Sequence, residues 1–82
     1  MPVTSAQVRM ARAALNWGVR DLAQAAQVHR NTITNLETGR YAGDATTLAA
    51  IVSALKRAGV EFIDENGGGP GVRLRKRHQK KS

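Results

Sequence analysis

The sequence predicts a mainly α-helical domain in which four short helices are followed by a C-terminal β-hairpin. Two observations favour this fold. Before Gly59, apolar residues recur at helical spacing in four segments that are separated by only a few residues. After Gly59 the pattern changes to near alternation in two short runs, VEFI and VRLRK, on either side of a glycine-rich turn. With 82 residues, the chain has room for one small hydrophobic core.

The first helix is predicted to begin at Thr4 or Ser5 and to end near Asn16. Thr4 and Gln7 have the spacing of a capping box, in which the side chain of each accepts a hydrogen bond from the backbone N–H of the other. The apolar face of this helix carries Val8, Ala11 and Leu15.

The second and third helices are predicted over about residues 19–26 and 30–38, with residues 27–29 as the link between them. Small residues on the second helix indicate that another helix packs closely against it. Gly39 is expected to end the third helix, because glycine accepts the left-handed conformation that is common at that position. The inward positions of the two helices are Leu22, Ala23, Ala26, Ile33 and Leu36.

The fourth helix follows Asp44, whose carboxylate can cap its first turn, and ends at Gly59. Its apolar residues at helical spacing are Leu48, Ile51, Val52 and Leu55. The runs 60–63 and 72–76 flank the turn DENGGGPG and form the predicted antiparallel hairpin. Because two strands alone are marginally stable in water, the helical core or a second subunit must cover their apolar residues. These residues are Val60, Phe62, Val72 and Leu74.

The net charge of +7 is concentrated at the C-terminus. Residues 1–72 hold seven basic and six acidic side chains, whereas the last ten residues, RLRKRHQKKS, hold six basic side chains and no acidic one. Such a distribution indicates a polyanionic partner, either nucleic acid or an anionic membrane surface. Residues 77–82 are expected to form a basic, disordered tail.

Several classes of protein are disfavoured by what the sequence lacks. It has no cysteine, and its two histidines, His29 and His78, are far apart, so we expect no metal site and no disulfide. Paired carboxylates and nucleophile–base arrangements are also missing, so we expect no enzyme. No apolar run is long enough to cross a bilayer, which favours a cytoplasmic protein. The GGGPG stretch lacks the following Lys-Ser/Thr of a phosphate-binding loop and is interpreted as a turn.

The second and third helices, joined by a three-residue turn, form a helix-turn-helix pattern. In this motif the second helix of the pair enters the major groove of DNA, where each base pair displays a distinct set of donors and acceptors. Arg30, Asn31 and Asn35 lie opposite Ile33 and Leu36 on the third helix. Since arginine can fork onto guanine and asparagine can form two bonds with adenine, these side chains are candidates for reading bases.

From about Thr4 to Ala58 the chain resembles the Cro/repressor-type (XRE) family of lambda-repressor-like helix-turn-helix proteins. The segments that carry the resemblance are LNW (15–17), DLAQAA (21–26), the turn at Val28, RNTITNLETG (30–39) and the helix with Leu48, Ile51 and Leu55. The ending GVEFIDENGGGPGVRLRK (59–76) resembles that of many short bacterial members.

This resemblance implies a bacterial or phage-like transcriptional regulator that binds double-stranded DNA as a homodimer, associates with the nucleoid, and needs no cofactor or small-molecule ligand. Residues 1–59 would be the DNA-binding domain, and the hairpin, 60–76, would either dimerise through its four apolar residues or contact DNA. Residues at positions that touch bases or nearby phosphates in the family are His29, Arg30, Asn31, Thr34 and Asn35. The residues expected to contact the sugar-phosphate backbone are Arg12, Arg20, Thr38, Arg40, Tyr41, Arg73, Arg75 and Lys76.

One charge lies on each of two facing apolar stripes. Arg12 is on the inward side of the first helix, and Glu37 is on the inward side of the third. We therefore expect a partly buried ion pair, which many family members also have and which would fix the angle of the third helix.

Four positions depart from the family pattern. Val19 replaces the usual Gln, which bonds a phosphate in many members, so that contact is expected to be absent here. Gly18 replaces the Ser or Thr that caps the second helix, so a looser helix start is expected. Gln27 replaces a glycine of the turn that often has a positive φ. His29 replaces a Ser that caps the third helix, and it is interpreted either as a cap or as a phosphate contact.

Two other functions compete with DNA-binding regulation. One is a protein-interaction module, such as an antitoxin whose hairpin and tail neutralise a small partner while the helices autoregulate. The other is association with RNA or membranes through the basic tail alone.

Overall fold

The computed structural model describes residues 3–40, 44–64 and 67–75. Its elements are α1 (Ser5–Ala14), α2 (Val19–Ala26), α3 (Arg30–Glu37), α4 (Ala45–Arg57), β1 (Val60–Ile63) and β2 (Gly71–Leu74). The predicted fold, a mainly helical domain that ends in a hairpin, is confirmed. Among the described residues, no helix is both long and apolar enough to cross a membrane.

Polar side chains cap the starts of the helices. The hydroxyl of Thr4 accepts a hydrogen bond from the N–H of Gln7 at 3.1 Å, and the Gln7 side-chain oxygen accepts one from the N–H of Thr4 at 2.9 Å. Asp44 accepts from the N–H of Thr47 at 2.7 Å, and this hydrogen bond lowers the pKa of the Asp44 carboxyl. Both predicted caps are therefore present. At α2, where Gly18 has no side chain, its N–H donates instead to the carboxylate of Asp21 at 2.7 Å.

The first three helices end on a residue with a positive φ. In each case the N–H of the following residue bonds the carbonyl five positions before it, at 2.9–3.0 Å, which satisfies a carbonyl of the last turn. The residues are Asn16 (φ 59°), Gln27 (φ 60°) and Gly39 (φ 80°). Because Asn16 is left-handed, α1 ends at Ala14, earlier than predicted.

All four helices and β1 contribute to the hydrophobic core. Its buried members are Val8, Ala11, Leu22, Ala23, Ala26, Ile33, Leu36, Ile51, Ala54, Leu55 and Val60. Of the α4 residues at helical spacing, Ile51 and Leu55 are buried, Leu48 packs partly buried against the core and Val52 is half-buried; Ala54 is buried as well. The apolar residues of α4 cover a wide arc of the helix, and packing against α2 selects which part of the arc faces inward.

The hairpin packs against α1 and α4, so the chain's own helices cover it. Val60 is fully buried, Phe62 and Val72 pack partly buried against the core, and only Leu74 is largely exposed, at 48%. The strands are antiparallel, with Phe62 opposite Val72 and Ile63 opposite Gly71. Strand β2 begins one residue earlier than predicted and ends at Leu74, and Lys76 lies outside the described residues.

Gln7 fastens this hairpin to α1. Its side chain is fully buried, and Nε2 donates to the carbonyls of Ile63 at 3.2 Å and Gly71 at 3.0 Å. Since Oε1 already accepts from Thr4, every polar group of this buried amide has a partner. The Gln7 side chain therefore links α1 to the last residue of β1 and to the first residue of β2.

Candidate nucleic-acid interface

The turn between α2 and α3 sets the direction of α3. Gln27 adopts the left-handed conformation that ends α2, and Val28 packs partly buried against the core. His29 then caps α3, because its Nδ1 accepts a hydrogen bond from the N–H of Asn31 at 3.0 Å. Of the two roles expected for His29, capping is the one that this geometry shows, and a DNA contact would have to use its other ring nitrogen.

Helix α3 has one buried and one exposed side. Ile33, Leu36 and Glu37 are buried. Arg30, Asn31 and Thr34 are exposed and Asn35 is half-buried. Within the described residues, no hydrogen bond or ion pair engages the side chains of Arg30, Asn31 or Asn35. Their donors and acceptors are therefore available to a partner outside the domain.

A cluster of charged groups holds the back of α3. Arg12 lies with Nε 2.8 Å from one carboxylate oxygen of Glu37 and Nη2 2.9 Å from the other, so the predicted ion pair is present and bidentate. The third nitrogen, Nη1, donates to the carbonyl of Trp17 at 3.0 Å. The side chain of Glu37 is 6% exposed and that of Arg12 is 24% exposed. Hydrogen bonding to Glu37 raises the pKa of the Arg12 guanidinium above its ordinary value.

Arg9 makes a second contact to the same end of α3, which was not predicted from the sequence. Its Nη1 donates to the backbone carbonyl of Glu37. This carbonyl lies in the last turn of α3, where carbonyls lack helical partners and a cation is favourable. The signal in the sequence was the i, i+3 spacing of Arg9 and Arg12, which places both side chains on the same side of α1.

The residues predicted to contact the DNA backbone fall into two groups. Arg20 and Arg40 are exposed beside the helix pair, and the Thr38 hydroxyl donates to the carbonyls of Thr34 and Asn35 at the end of α3. Arg12 uses three of its five N–H groups internally, which leaves two for a phosphate.

The second group lies on the hairpin, away from α3. Arg73 pairs with Glu61 at 2.7 Å, and Arg75 donates to the carbonyl of Lys56 at the end of α4. Helix α3 packs against α1 and α2, whereas the strands pack against α1 and α4, so the two groups occupy different parts of the surface. Tyr41, Lys76 and the predicted tail at 77–82 lie outside the described residues.

A comparison with family models identifies the domain. The model described as "Helix-turn-helix domain" matches residues 5–62, a segment that runs from the start of α1 into β1. No curated protein matches the chain. The matched segment is well over half of the chain and contains the α2–α3 pair, with its buried contacts and its exposed polar side. The chain therefore belongs to the helix-turn-helix domain family.

Proposed function

We propose that this protein is a sequence-specific transcriptional regulator of the Cro/repressor (XRE) type, which binds a palindromic operator as a homodimer through α3. The observation that carries the proposal is the contrast between the two sides of α3. One side is fixed by the core and by Arg9 and Arg12, and the other presents Arg30, Asn31 and Thr34, whose side chains have no hydrogen-bond partner among the described residues. The membership of the helix-turn-helix family supports DNA as the partner.

The exposed side chains have the chemistry of major-groove recognition. Arg30, in the first turn of α3, can donate two hydrogen bonds to a guanine, and Asn31 or Asn35 can donate and accept with an adenine. The N-terminal residues of a recognition helix are the ones that reach base edges in helix-turn-helix complexes. His29 and Thr34 complete this base-reading set.

Cations around this side position the helix on the phosphates. Arg20, Arg40 and the remaining N–H groups of Arg12 lie on the helical part, with Thr38 at the end of α3. Arg73 and Arg75 lie on the hairpin, away from α3, and with Tyr41 and Lys76 they would contact phosphates outside the segment that α3 reads. Such contacts raise affinity for any sequence and make binding salt-dependent, whereas the base-reading set supplies specificity.

The test begins with selection of bound duplexes from a random DNA pool. We expect a site with two inverted halves whose centres lie about one helical turn, roughly 10 base pairs, apart. Arg30→Ala is expected to cost about 1–3 kcal/mol on the selected duplex and much less on random DNA. The matched control is Arg20→Ala, which should weaken both duplexes equally and reduce the salt dependence by about one phosphate contact.

A chain that ends after Arg75 separates the helices from the tail. This endpoint keeps β2 whole and retains the hydrogen bond from the Arg75 N–H to the Gly59 carbonyl, at 2.7 Å. We expect the shortened chain to lose affinity but to keep its sequence preference. If Arg30→Ala weakens both duplexes equally, or if the shortened chain has no preference at all, base reading by α3 is wrong.

A further inference from the structure

We propose that the outer side of α4 is the surface through which two copies of this chain associate, with the two helices antiparallel. The proposal rests on the proposed function in one respect, because it assigns a contact surface to that homodimer. It names a different surface from the apolar side of the hairpin that the sequence suggested.

The hairpin is poorly suited to hold two copies together. Val60 is fully buried, Phe62 and Val72 pack partly buried against the chain's own core, and Leu74, at 48% exposed, is the one of the four apolar residues that is open to a partner. Pairing of β2 with a second β2 about a two-fold axis would bring Arg73 and Arg75 of the two copies close to each other. Like charges across a strand pair are destabilising.

The outer side of α4 has the opposite character. Between Asp44 and Lys56 the helix carries no charged residue, although several of its positions face solvent. The exposed positions in this stretch are Ala45, Thr46, Ala49 and Ser53. A helix side that faces only water usually carries charged residues. Since the chain has 19 charged side chains, 13 basic and 6 acidic, a helix side without any of them indicates a contact surface.

An apolar groove follows this side of the helix. It has a volume of about 330 Å³ and is lined by Val3, Ala45, Leu48, Ala49, Val52 and Lys56. Val52 is half-buried here, and Leu48 packs against the core but is also only half-buried. Ala49 also borders a second groove on the other flank of α4, so it lies on the ridge between the two. A small residue on such a ridge lets a second helix approach closely.

The charges at the two ends of α4 favour a second copy as the occupant. Asp44 is exposed at the N-terminus, and Lys56 is exposed at the C-terminus. When two α4 helices cross antiparallel near Ala49 and Val52, each Asp44 faces the Lys56 of the other copy. A parallel arrangement would place like charges together. The pattern therefore favours the antiparallel arrangement, and its two-fold symmetry makes the dimer isologous and closed.

The size of this surface predicts a weak dimer. Helix α4 has 13 residues and is therefore about 20 Å long, so one side of it buries on the order of a few hundred Å² per copy. Stable complexes bury roughly 800 Å² per partner. We therefore expect the free protein to associate only at high concentration. On DNA, we expect two adjacent half-sites to bring two copies together and so to favour the dimer.

The experiment is sedimentation equilibrium of the full chain over a wide concentration range, without DNA. Ala49→Arg and Ala49→Glu place a charge on the ridge of the contact and repel their own copies across the two-fold axis. The matched controls are Ala13→Arg and Ala13→Glu, at an exposed alanine of α1. Lys56→Glu tests the charge pairing. We expect the average mass of the parent and of the Ala13 variants to rise toward two chains, while the Ala49 variants and Lys56→Glu stay at one.

Binding to the selected duplexes provides the second measurement. Both Ala49 variants should keep the affinity for a single half-site and lose at least about tenfold in cooperativity on the paired half-sites. Arginine and glutamate at position 49 should reduce the cooperativity equally if they disrupt the contact between the two copies. If they acted through electrostatic attraction to DNA, their effects would have opposite signs.

Two results would overturn the proposal. One is association of the Ala49 variants as strong as that of the parent. The other is a parent that stays monomeric at every concentration and fills two half-sites independently. If instead the pool yields no preferred sequence, the proposed function fails, but sedimentation still decides the role of α4.

Discussion

Replacing Glu37 by alanine tests whether the ion pair behind α3 is a structural element of the domain. The substitution removes two hydrogen bonds of 2.8 and 2.9 Å and leaves the Arg12 guanidinium without its counter-ion. Stranding one partner of a fully buried pair costs roughly 3–5 kcal/mol. Because the Arg12 side chain is 24% exposed, water can partly rehydrate it, and we expect a smaller loss of about 2–3 kcal/mol in the free energy of unfolding.

The assay is urea denaturation followed by the fluorescence of Trp17, the single tryptophan of the chain. A double-mutant cycle adds Arg12→Met and the combined variant, which measures the coupling between the two side chains. We expect the combined variant to be within about 1 kcal/mol of the parent, since replacing both charges leaves neither one stranded. The matched control is Glu61→Ala. It breaks an ion pair whose side chains are 38% and 69% exposed, and it should cost at most about 1 kcal/mol.

Two outcomes would refute this reasoning. If Glu37→Ala costs no more than Glu61→Ala, the burial of the pair has no energetic consequence. If the combined variant loses the sum of the two single losses, the side chains are not coupled. The combined variant also isolates the effect on DNA, because a stable domain with weakened sequence preference would show that the pair sets the orientation of α3.

The remaining predictions concern three hydrogen-bonded or strained positions. Gln7→Met removes three hydrogen bonds of a buried amide and should lower the free energy of unfolding by about 2–3 kcal/mol. Backbone amide hydrogens of the hairpin should also exchange faster with solvent. Unchanged exchange would contradict the role of Gln7. Gln27→Gly relieves a φ of 60° and should raise the unfolding free energy by about 0.5–1 kcal/mol, whereas Gln24→Gly, inside α2, should lower it by about 1 kcal/mol. Asp44→Asn should leave a less stable protein at neutral pH, and the difference in urea midpoint should vanish as the pH falls below about 4. The folded pKa of Asp44 lies below its ordinary value, so its carboxylate stabilises the fold above that value and loses this effect on protonation; a difference that is constant with pH would contradict the prediction.

Features that depend on neighbours in the sequence could be predicted. The capping box of Thr4 and Gln7, the cap of Asp44 and the left-handed Gly39 each involve groups within one helical turn. The exposed side of α3 also follows from helical periodicity, because Ile33 and Leu36 determine which side is buried. The pairing of Arg12 with Glu37 was accessible for the same reason, since a charge on an apolar stripe needs a partner.

Apart from the Arg12–Glu37 pair, features that depend on distant groups could not be predicted. The Gln7 side chain bonds carbonyls 56 and 64 residues away, and no local pattern marks those positions. In α4, periodicity gave a wide apolar arc, and only the packing against α2 shows that Ala54 is inside while Val52 is not. The conformation of Gln27 does not follow from the residue type, which disfavours a positive φ; only the resemblance to a family in which a glycine often holds this position indicated it.

The link between Gln7 and Gly71 has a consequence for synthesis of the protein. The amide of the first helix finds its acceptors only when strand β2, near the C-terminus, has been made. Until then the Gln7 amide of a ribosome-bound chain must stay hydrated, because burying it without acceptors would cost free energy. We therefore expect the nascent helices to remain loosely packed, and the domain to become compact in one late step after its last strand leaves the exit tunnel.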